Sequence, residues 1–272
     1  MIRIILILLF SFPVALCAQT YQQLSEKAIE YIEMDSLHKA EELLLQALKL
    51  EPKNAKNAML FSILGLVQRR MGEYDKALES YSFALNFAPL AVPILLDRAA
   101  INLEMGNTDR AYTDYCLVLD EDKQNKEALL MRAYIYVLRR DYPAARIDYN
   151  RLLELDPQNY SGRLGLATLE QKEGKFKEAL EILNKMIAAT PEDATLYIAR
   201  ADVEREMKHE DLALVDLEEA IRLKPSSADA YLLRGNIYLT QKKKALAKTD
   251  FEKAISLGIP PADLHEQLKQ CK

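Results

Sequence analysis

Four arginines that stand at multiples of 34 residues from one another are each followed, sixteen residues later, by an aspartate. A cation and a carboxylate held side by side can act as acid and base groups of a catalytic site, or as a buried ion pair that joins two chain segments. Four copies of the same spacing fit a repeated structural role better than one catalytic centre. An arginine that leaves water needs a carboxylate to accept from its donors, so we predict ion pairs. The predicted structural pairs are Arg98 with Asp114, Arg132 with Asp148, Arg200 with Asp216, and Arg234 with Asp250.

Other candidates for chemistry are weak. The segment that begins at Asp120 starts like a calcium loop, but Gln124 and Asn125 stand where an oxygen ligand and the turn glycine are needed. The three histidines lie far apart in the sequence and share no metal-ligand spacing. The chain contains no nucleophile motif, phosphate-binding loop or dinucleotide fingerprint. We therefore predict a protein that is not an enzyme and has no cofactor and no metal site.

The elements that position the predicted pairs follow from a repeat. Prolines recur in one 34-residue frame, and when they are assigned to position 32, position 20 is alanine in all seven frames, position 8 is small and position 24 is large. The frames are 21–54, 58–91, 92–125, 126–159, 160–193, 194–227 and 228–261. Small residues at 8 and 20 let two antiparallel helices approach closely, while the bulky residue at 24 fills the gap beside them. Each frame is thus predicted to be a helical hairpin that must stack on its neighbours.

The repeat has a small residue at position 8, alanine at 20, an aromatic residue or leucine at 24 and proline at 32. This pattern resembles the tetratricopeptide repeat, and the resemblance covers residues 21–261. It implies an all-α fold, a right-handed superhelical solenoid of antiparallel helical hairpins that occupies residues 19–261. Beyond the last frame, Leu264, Leu268 and Cys271 are spaced to form one apolar stripe on a helix. Because a terminal repeat needs a cover with a polar outer face, we predict a C-terminal capping helix at 262–272.

The resemblance also implies a partner site. In this family the first helix of each hairpin lines a concave groove that receives a peptide, a helix or another subunit. The chain lacks the lysine and asparagine pattern with which the family's chaperone adaptors hold a terminal carboxylate. Its groove positions in repeats 2 to 4 are mainly apolar, which predicts a protein or peptide partner there, although the same side chains could serve stacking between hairpins. The predicted partner-binding residues are Ile63, Leu66, Leu96, Leu103, Met131, Tyr134, Val137 and Leu138. A second function stays open, the binding of a small apolar or lipid-like ligand inside the superhelix.

Residues 1–18 have the layout of a secretory signal peptide: Arg3 precedes an apolar run, and small residues lie just before Gln19. The apolar segment is shorter than the ~20 residues needed to span a bilayer. We expect cleavage near Gln19, no membrane span afterwards, and an exported bacterial protein in the periplasm or at the outer membrane. Cys17 leaves a lipoprotein as an alternative, although the residue before it is larger than the lipobox pattern allows.

Charge and cysteine content limit the remaining possibilities. The chain has 36 basic and 41 acidic residues, a net charge of −5, and no long basic block, which argues against a nucleic-acid partner. Beyond Cys17, only Cys116 and Cys271 remain, far apart in sequence, so no disulfide framework is expected. The sequence predicts a non-catalytic interaction scaffold and fixes neither the identity of its partner nor its oligomeric state.

Overall fold

A computed structural model of the protein describes residues 20–272, and within these residues every regular element is helical. The predicted signal segment lies outside the described residues. The helices are α1 (20–33), α2 (Leu37–Leu50), α3 (Asn57–Arg70), α4 (Tyr74–Phe87), α5 (Val92–Glu104), α6 (Thr108–Glu121), α7 (Lys126–Leu138), α8 (Tyr142–Leu155), α9 (Tyr160–Lys172), α10 (Phe176–Ala189), α11 (Ala194–Glu206), α12 (Glu210–Leu223), α13 (Ala228–Thr240), α14 (Lys244–Ser256) and α15 (His265–Gln270). A 3₁₀ helix, Pro261–Leu264, precedes α15.

The chain divides within α7 into two compact units, the first ending at Ile135 and the second beginning at Tyr136. In the first unit, α3 packs on α4 and α5 on α6 as hairpins, and α2 contacts α3 and α4 contacts α5 between hairpins. In the second unit each helix from α8 to α14 packs on the next along the chain. The predicted fold class, an all-α solenoid of stacked antiparallel hairpins, is confirmed.

The small residues at positions 8 and 20 make this packing possible. Ala99 and Ala111 have no exposed surface, and Tyr115 at position 24 is buried beside them. At Gly65 the approach is closer, because a β-carbon there would lie 3.0 Å from the ring of Tyr81. Burying a large side chain in this gap contributes about 1.5–3 kcal/mol relative to leaving it in water. The alanine of position 20 is fully buried in all seven repeats: Ala40, Ala77, Ala111, Ala145, Ala179, Ala213 and Ala247.

Each hairpin turns through the same helix-ending motif. In the second repeat the Glu73 amide donates to the Gln68 carbonyl at 2.8 Å, and the Gly72 amide donates to the Arg69 carbonyl at 3.0 Å. These two bonds form a Schellman motif, which requires a left-handed residue just after the helix. That residue is position 15 of every repeat, with φ between 56° and 77°: Asp35, Gly72, Gly106, Arg140, Gly174, Lys208 and Lys242. Glycine takes this conformation without strain, whereas the other four residues do so with a β-carbon in place.

The C-terminal segment covers the last hairpin. Leu264 is buried, and Leu268 and Cys271 pack with it against Phe251 and Ala254 of α14. The predicted capping helix is therefore confirmed, although it begins with a 3₁₀ turn at Pro261. Among residues 20–272, no helix is long and apolar enough to cross a bilayer.

Candidate functional site

Three of the four arginine–aspartate pairs are two-pronged contacts between the helices of one hairpin. The Nε and Nη2 atoms of Arg200 on α11 donate to Asp216 on α12 at 2.8 and 2.6 Å. Arg234 donates in the same way to Asp250 at 2.8 Å for both bonds. Arg98 donates to Asp114 at 2.9 and 2.7 Å. All three carboxylates are buried, so these pairs lie in the packed interior of the hairpin.

Arg98, Arg132 and Arg200 also contact the preceding hairpin, which sequence analysis did not anticipate. Arg200 Nη1 donates to Asn184 Oδ1 at 2.6 Å, and Arg98 Nη1 donates to Ser82 Oγ at 3.2 Å. Arg132 Nη1 lies 3.7 Å from the sulfur of Cys116. Each acceptor precedes its arginine by sixteen residues, and the paired aspartate follows the arginine by the same number. The guanidinium groups of Arg98 and Arg200 therefore each join three successive helices. The backward spacing of sixteen residues is regular, but the acceptors differ in residue type, so the sequence alone did not reveal these contacts.

The two residues of the remaining predicted pair belong to different units. Arg132 belongs to the first unit and Asp148 to the second. Asp148 is almost fully buried, as are the aspartates of the other three pairs. Its contact with Arg132 stays a prediction.

The electrostatics of these pairs are those of structural contacts. The hydrogen bond to Asp216 raises the pKa of Arg200, and the bond to Asp250 raises that of Arg234. Both arginines are thereby held in the charged form and are poor proton donors. Within residues 20–272, no group of three or more histidine, cysteine or acidic side chains is placed to hold a metal ion.

The predicted partner-binding residues differ in their exposure. Leu66 on α3 and Tyr134 on α7 are the open ones in the first unit, with 41% and 45% of their surface in solvent. Four others of that unit are half-buried: Ile63, Leu96, Leu103 and Met131. In the second unit, Val137 is half-buried and Leu138 is exposed. In the first unit, the open side chains of the predicted set thus both lie at position 9, whereas Ile63 at position 6 also packs against the buried core.

An acidic side chain stands among these apolar ones in the first unit. Asp97 occupies position 6 on α5 and is half-buried. Burial raises the pKa of its carboxyl above the usual range, and the nearby Arg69 only partly offsets this. Arg69 is itself paired with Glu104. Asp97 therefore carries a charge that is poorly compensated and that a cationic group of a partner could neutralise.

A buried hydroxyl lies beneath this region. The hydroxyl of Tyr81 has no hydrogen-bond partner among the described residues. Burial raises the pKa of Tyr81, and the charge of Asp97 raises it further, so the phenol stays neutral. Sequence analysis did not single out either residue, because the burial of one carboxyl and one hydroxyl depends on neighbouring helices and is not visible in the residue type.

Comparison with known proteins identifies the family. Models of the tetratricopeptide repeat match residues 18–54, 96–160, 136–203 and 228–257. The crystal structure of a tetratricopeptide repeat protein from Parabacteroides merdae ATCC 43184 shares 36% sequence identity, covers 93% of this chain and 99% of its own, and superposes with a TM-score of 0.85. The chain belongs to the tetratricopeptide repeat family. Proteins of this family are typically non-catalytic scaffolds that mediate protein–protein interactions.

More distant tetratricopeptide structures share the fold alone. The structure of YrrB, described as a tetratricopeptide repeat protein with an unusual peptide-binding site, has 18% identity and a TM-score of 0.56, and the match covers 74% of this chain and 97% of YrrB. The Cut9–Hcn1 hetero-tetramer of the APC/C matches with 14% identity and a TM-score of 0.65 over 91% of this chain and 55% of that chain. A comparison with curated proteins gave no match.

Proposed function

We propose that this tetratricopeptide protein is a non-catalytic scaffold of the bacterial cell envelope that binds a peptide, helix or protein partner in its concave groove. The observation that carries the proposal is the exposure of Leu66 and Tyr134 on the first helices of their hairpins. Exposed apolar side chains that the core does not require are typical of binding surfaces, and aromatic residues are prominent among binding hot spots. The envelope location rests on the signal-peptide layout of residues 1–18.

The groove residues suggest how a partner is held. An amphipathic helix or extended segment would place apolar anchors against Leu66 and Tyr134, with Ile63, Leu96, Leu103 and Met131 forming the floor. Val137 and Leu138 are included on the sequence pattern alone. A basic residue of the partner would meet Asp97, whose half-buried carboxylate gains most from a new cationic neighbour. The peptide-binding description of YrrB supports this reading by analogy of fold.

The test compares Tyr134 with Phe83, an aromatic residue of nearly equal exposure on α4, a second helix of a hairpin. A photo-crosslinking amino acid is placed at either position in the native host, and the crosslinked partner is identified by mass spectrometry. We expect a defined partner from position 134 and none from position 83. Tyr134→Ala should then weaken binding of the identified partner, whereas Phe83→Ala should not.

Two outcomes contradict the proposal. If Tyr134→Ala lowers stability by ~3–5 kcal/mol, as truncation of a buried aromatic does, then Tyr134 is a core residue and the site is wrong. If crosslinks from position 134 trap no protein while purified material releases an extractable apolar molecule, the protein is a ligand binder instead.

A further inference from the structure

The hairpin turns of the second unit carry basic residues at a backbone position that favours glycine. Position 15 is left-handed in all four turns of this unit, and only Gly174 is glycine. Arg140, Lys208 and Lys242 hold φ values of 60°, 67° and 60°. In the first unit the equivalent residues are Asp35 and two glycines, so the basic character belongs to the second unit alone. A side chain kept in a strained conformation points to a role other than folding.

These charges are open to solvent. Arg140, Lys208, Lys242 and Lys244 are exposed and make no ion pair within residues 20–272. Lys243, next in sequence, lies over the ring of Tyr238 at 5.8 Å, which leaves its charge uncompensated by a carboxylate. The chain therefore concentrates uncompensated cations at the turns between first and second helices, although its net charge is −5.

The turns of the last two repeats are neighbours at one edge of the second unit. Gln241 at the end of α13 donates to Glu210 at the start of α12, with Nε2 and Oε2 3.0 Å apart. The amide of Gln241 is neutral, so Glu210 keeps its negative charge beside the lysines. Of the other carboxylates near these turns, Glu204 is bonded to His209, and Asp211 remains exposed. Cations thus outnumber open carboxylates along this basic edge, which we define by Lys208, Lys242, Lys243 and Lys244.

Aliphatic side chains stand beside these lysines. Leu212 and Leu246 each follow the left-handed lysine of their turn by four residues, in the first turn of α12 and of α14. They are 55% and 50% exposed, and Val215, one helical turn beyond Leu212, is exposed as well. The combination of lysine at position 15 and open leucine at position 19 therefore occurs twice, in adjacent repeats.

We propose that this basic edge, with Leu212 and Leu246, docks the protein on an anionic lipid surface. The lysine ammonium groups would contact phosphate headgroups while the two leucines enter the boundary between headgroups and acyl chains. A free phosphate would make no use of the exposed leucines. A surface that binds single-stranded nucleic acid needs open aromatic faces for stacking, whereas Tyr238, the ring beneath Lys243, is half-buried. The docking edge lies at the hairpin turns, whereas the proposed partner residues lie on the first helices, so the two sites share no residue.

Vesicle flotation of the full mature chain tests the proposal. Vesicles of phosphatidylglycerol and phosphatidylcholine are compared with vesicles of phosphatidylcholine alone, at low and high salt. We expect binding only to the anionic vesicles, weakened by salt because the Debye length falls from roughly 30 Å at 0.01 M to roughly 3 Å at 1 M. The decisive variant is the double substitution Lys208→Gly and Lys242→Gly. It should unfold at an equal or higher temperature, since glycine relieves the left-handed strain, and yet lose about fivefold in partitioning for each lysine removed.

Two further variants separate the sources of binding. Leu212→Ser with Leu246→Ser should weaken binding at both salt concentrations, because it removes the inserted apolar surface. Lys49→Gln with Lys53→Gln changes the net charge of the first unit by the same amount at exposed positions and should leave binding unchanged. The proposal is overturned if wild-type protein does not float with anionic vesicles, or if the control substitutions reduce binding as much as the glycine pair. It is also overturned if the serine pair has no effect, because binding would then rest on charge alone and the leucines would not enter the lipid boundary.

Discussion

The Arg200–Asp216 pair offers the most direct test of how the hairpins are held together. Asp216→Ala removes a buried carboxylate that accepts two charge-assisted hydrogen bonds from the guanidinium. Truncating one partner of a buried ion pair costs roughly 3–5 kcal/mol, because the other charge is left uncompensated. Arg200 retains its contact with Asn184 and some access to water. The loss is therefore expected near the lower limit, about 3 kcal/mol.

A matched control lies on the same helix. Glu219 is bonded to Arg222 through both of its oxygens, at 2.7 and 2.6 Å, but this pair is open to solvent. Glu219→Ala should therefore change stability little. The two substitutions remove carboxylates with similar hydrogen-bond geometry from one helix, so a difference between them isolates the effect of burial.

Urea denaturation followed by far-ultraviolet circular dichroism measures the effect. With a denaturant slope of about 2–3 kcal/mol per molar, a loss of about 3 kcal/mol moves the midpoint down by about 1 M. A double-mutant cycle with Arg200→Ala should give a coupling energy of about 1–3 kcal/mol. Equal midpoint shifts for Asp216→Ala and Glu219→Ala, or a coupling energy near zero, would show that the ion pair does not join the helices.

Three other predictions concern single sites. Arg140→Gly should raise the free energy of unfolding by about 0.5–1 kcal/mol because glycine adopts a φ of 60° freely, whereas Gly174→Ala, at a φ of 74°, should lower it by about 1–2 kcal/mol; urea midpoints measure both. Burial raises the pKa of Asp97 in the folded state, so protonation of this carboxyl stabilises the fold below the unfolded-state pKa. That stabilisation is lost as pH rises through the folded-state pKa. Asp97→Asn should abolish this fall in stability in thermal melts taken across the same pH range. Asp148→Ala should lower the urea midpoint more than Glu154→Ala, because Asp148 is buried and Glu154 is exposed; equal shifts would place Asp148 in solvent.

The fold could be predicted from the sequence because each hairpin imposes the same steric requirement. Alanine at position 20 recurs wherever a second helix must approach the first, and the structure buries all seven copies. A side chain that is small at the same position of every repeat indicates a close contact within the hairpin, whatever residues the neighbouring hairpins contribute. The spacing of sixteen residues could be interpreted for the same reason. The four arginines occupy position 7 and the four aspartates position 23, and these two positions face each other within one hairpin.

Features that depend on contacts between hairpins were not accessible in the same way. The arginines contact the preceding hairpin through Ser82, Cys116 and Asn184. These three residues occupy the same position of their repeats, but they are of different types. The half-burial of Asp97 depends on the neighbouring helices and not on its own residue type. The left-handed turns were hidden as well, because arginine and lysine carry no preference for positive φ.

A repeat protein supplies its own comparison for deciding which residues serve the fold. Position 15 accepts Gly72, Gly106 and Gly174 with no loss of the Schellman motif, so the fold alone does not require lysine at 208 or 242. Position 9 likewise accepts Ala100 and Thr168 on either side of Tyr134, so stacking does not require an aromatic ring there. When a side chain is larger or more charged than the residues at the same position of other repeats, and is also exposed, selection for stability does not explain its presence. Lys208, Lys242 and Tyr134 are therefore better explained by binding than by stability. The aspartates of the ion pairs differ, because they are buried and recur where they hold the two helices of a hairpin together.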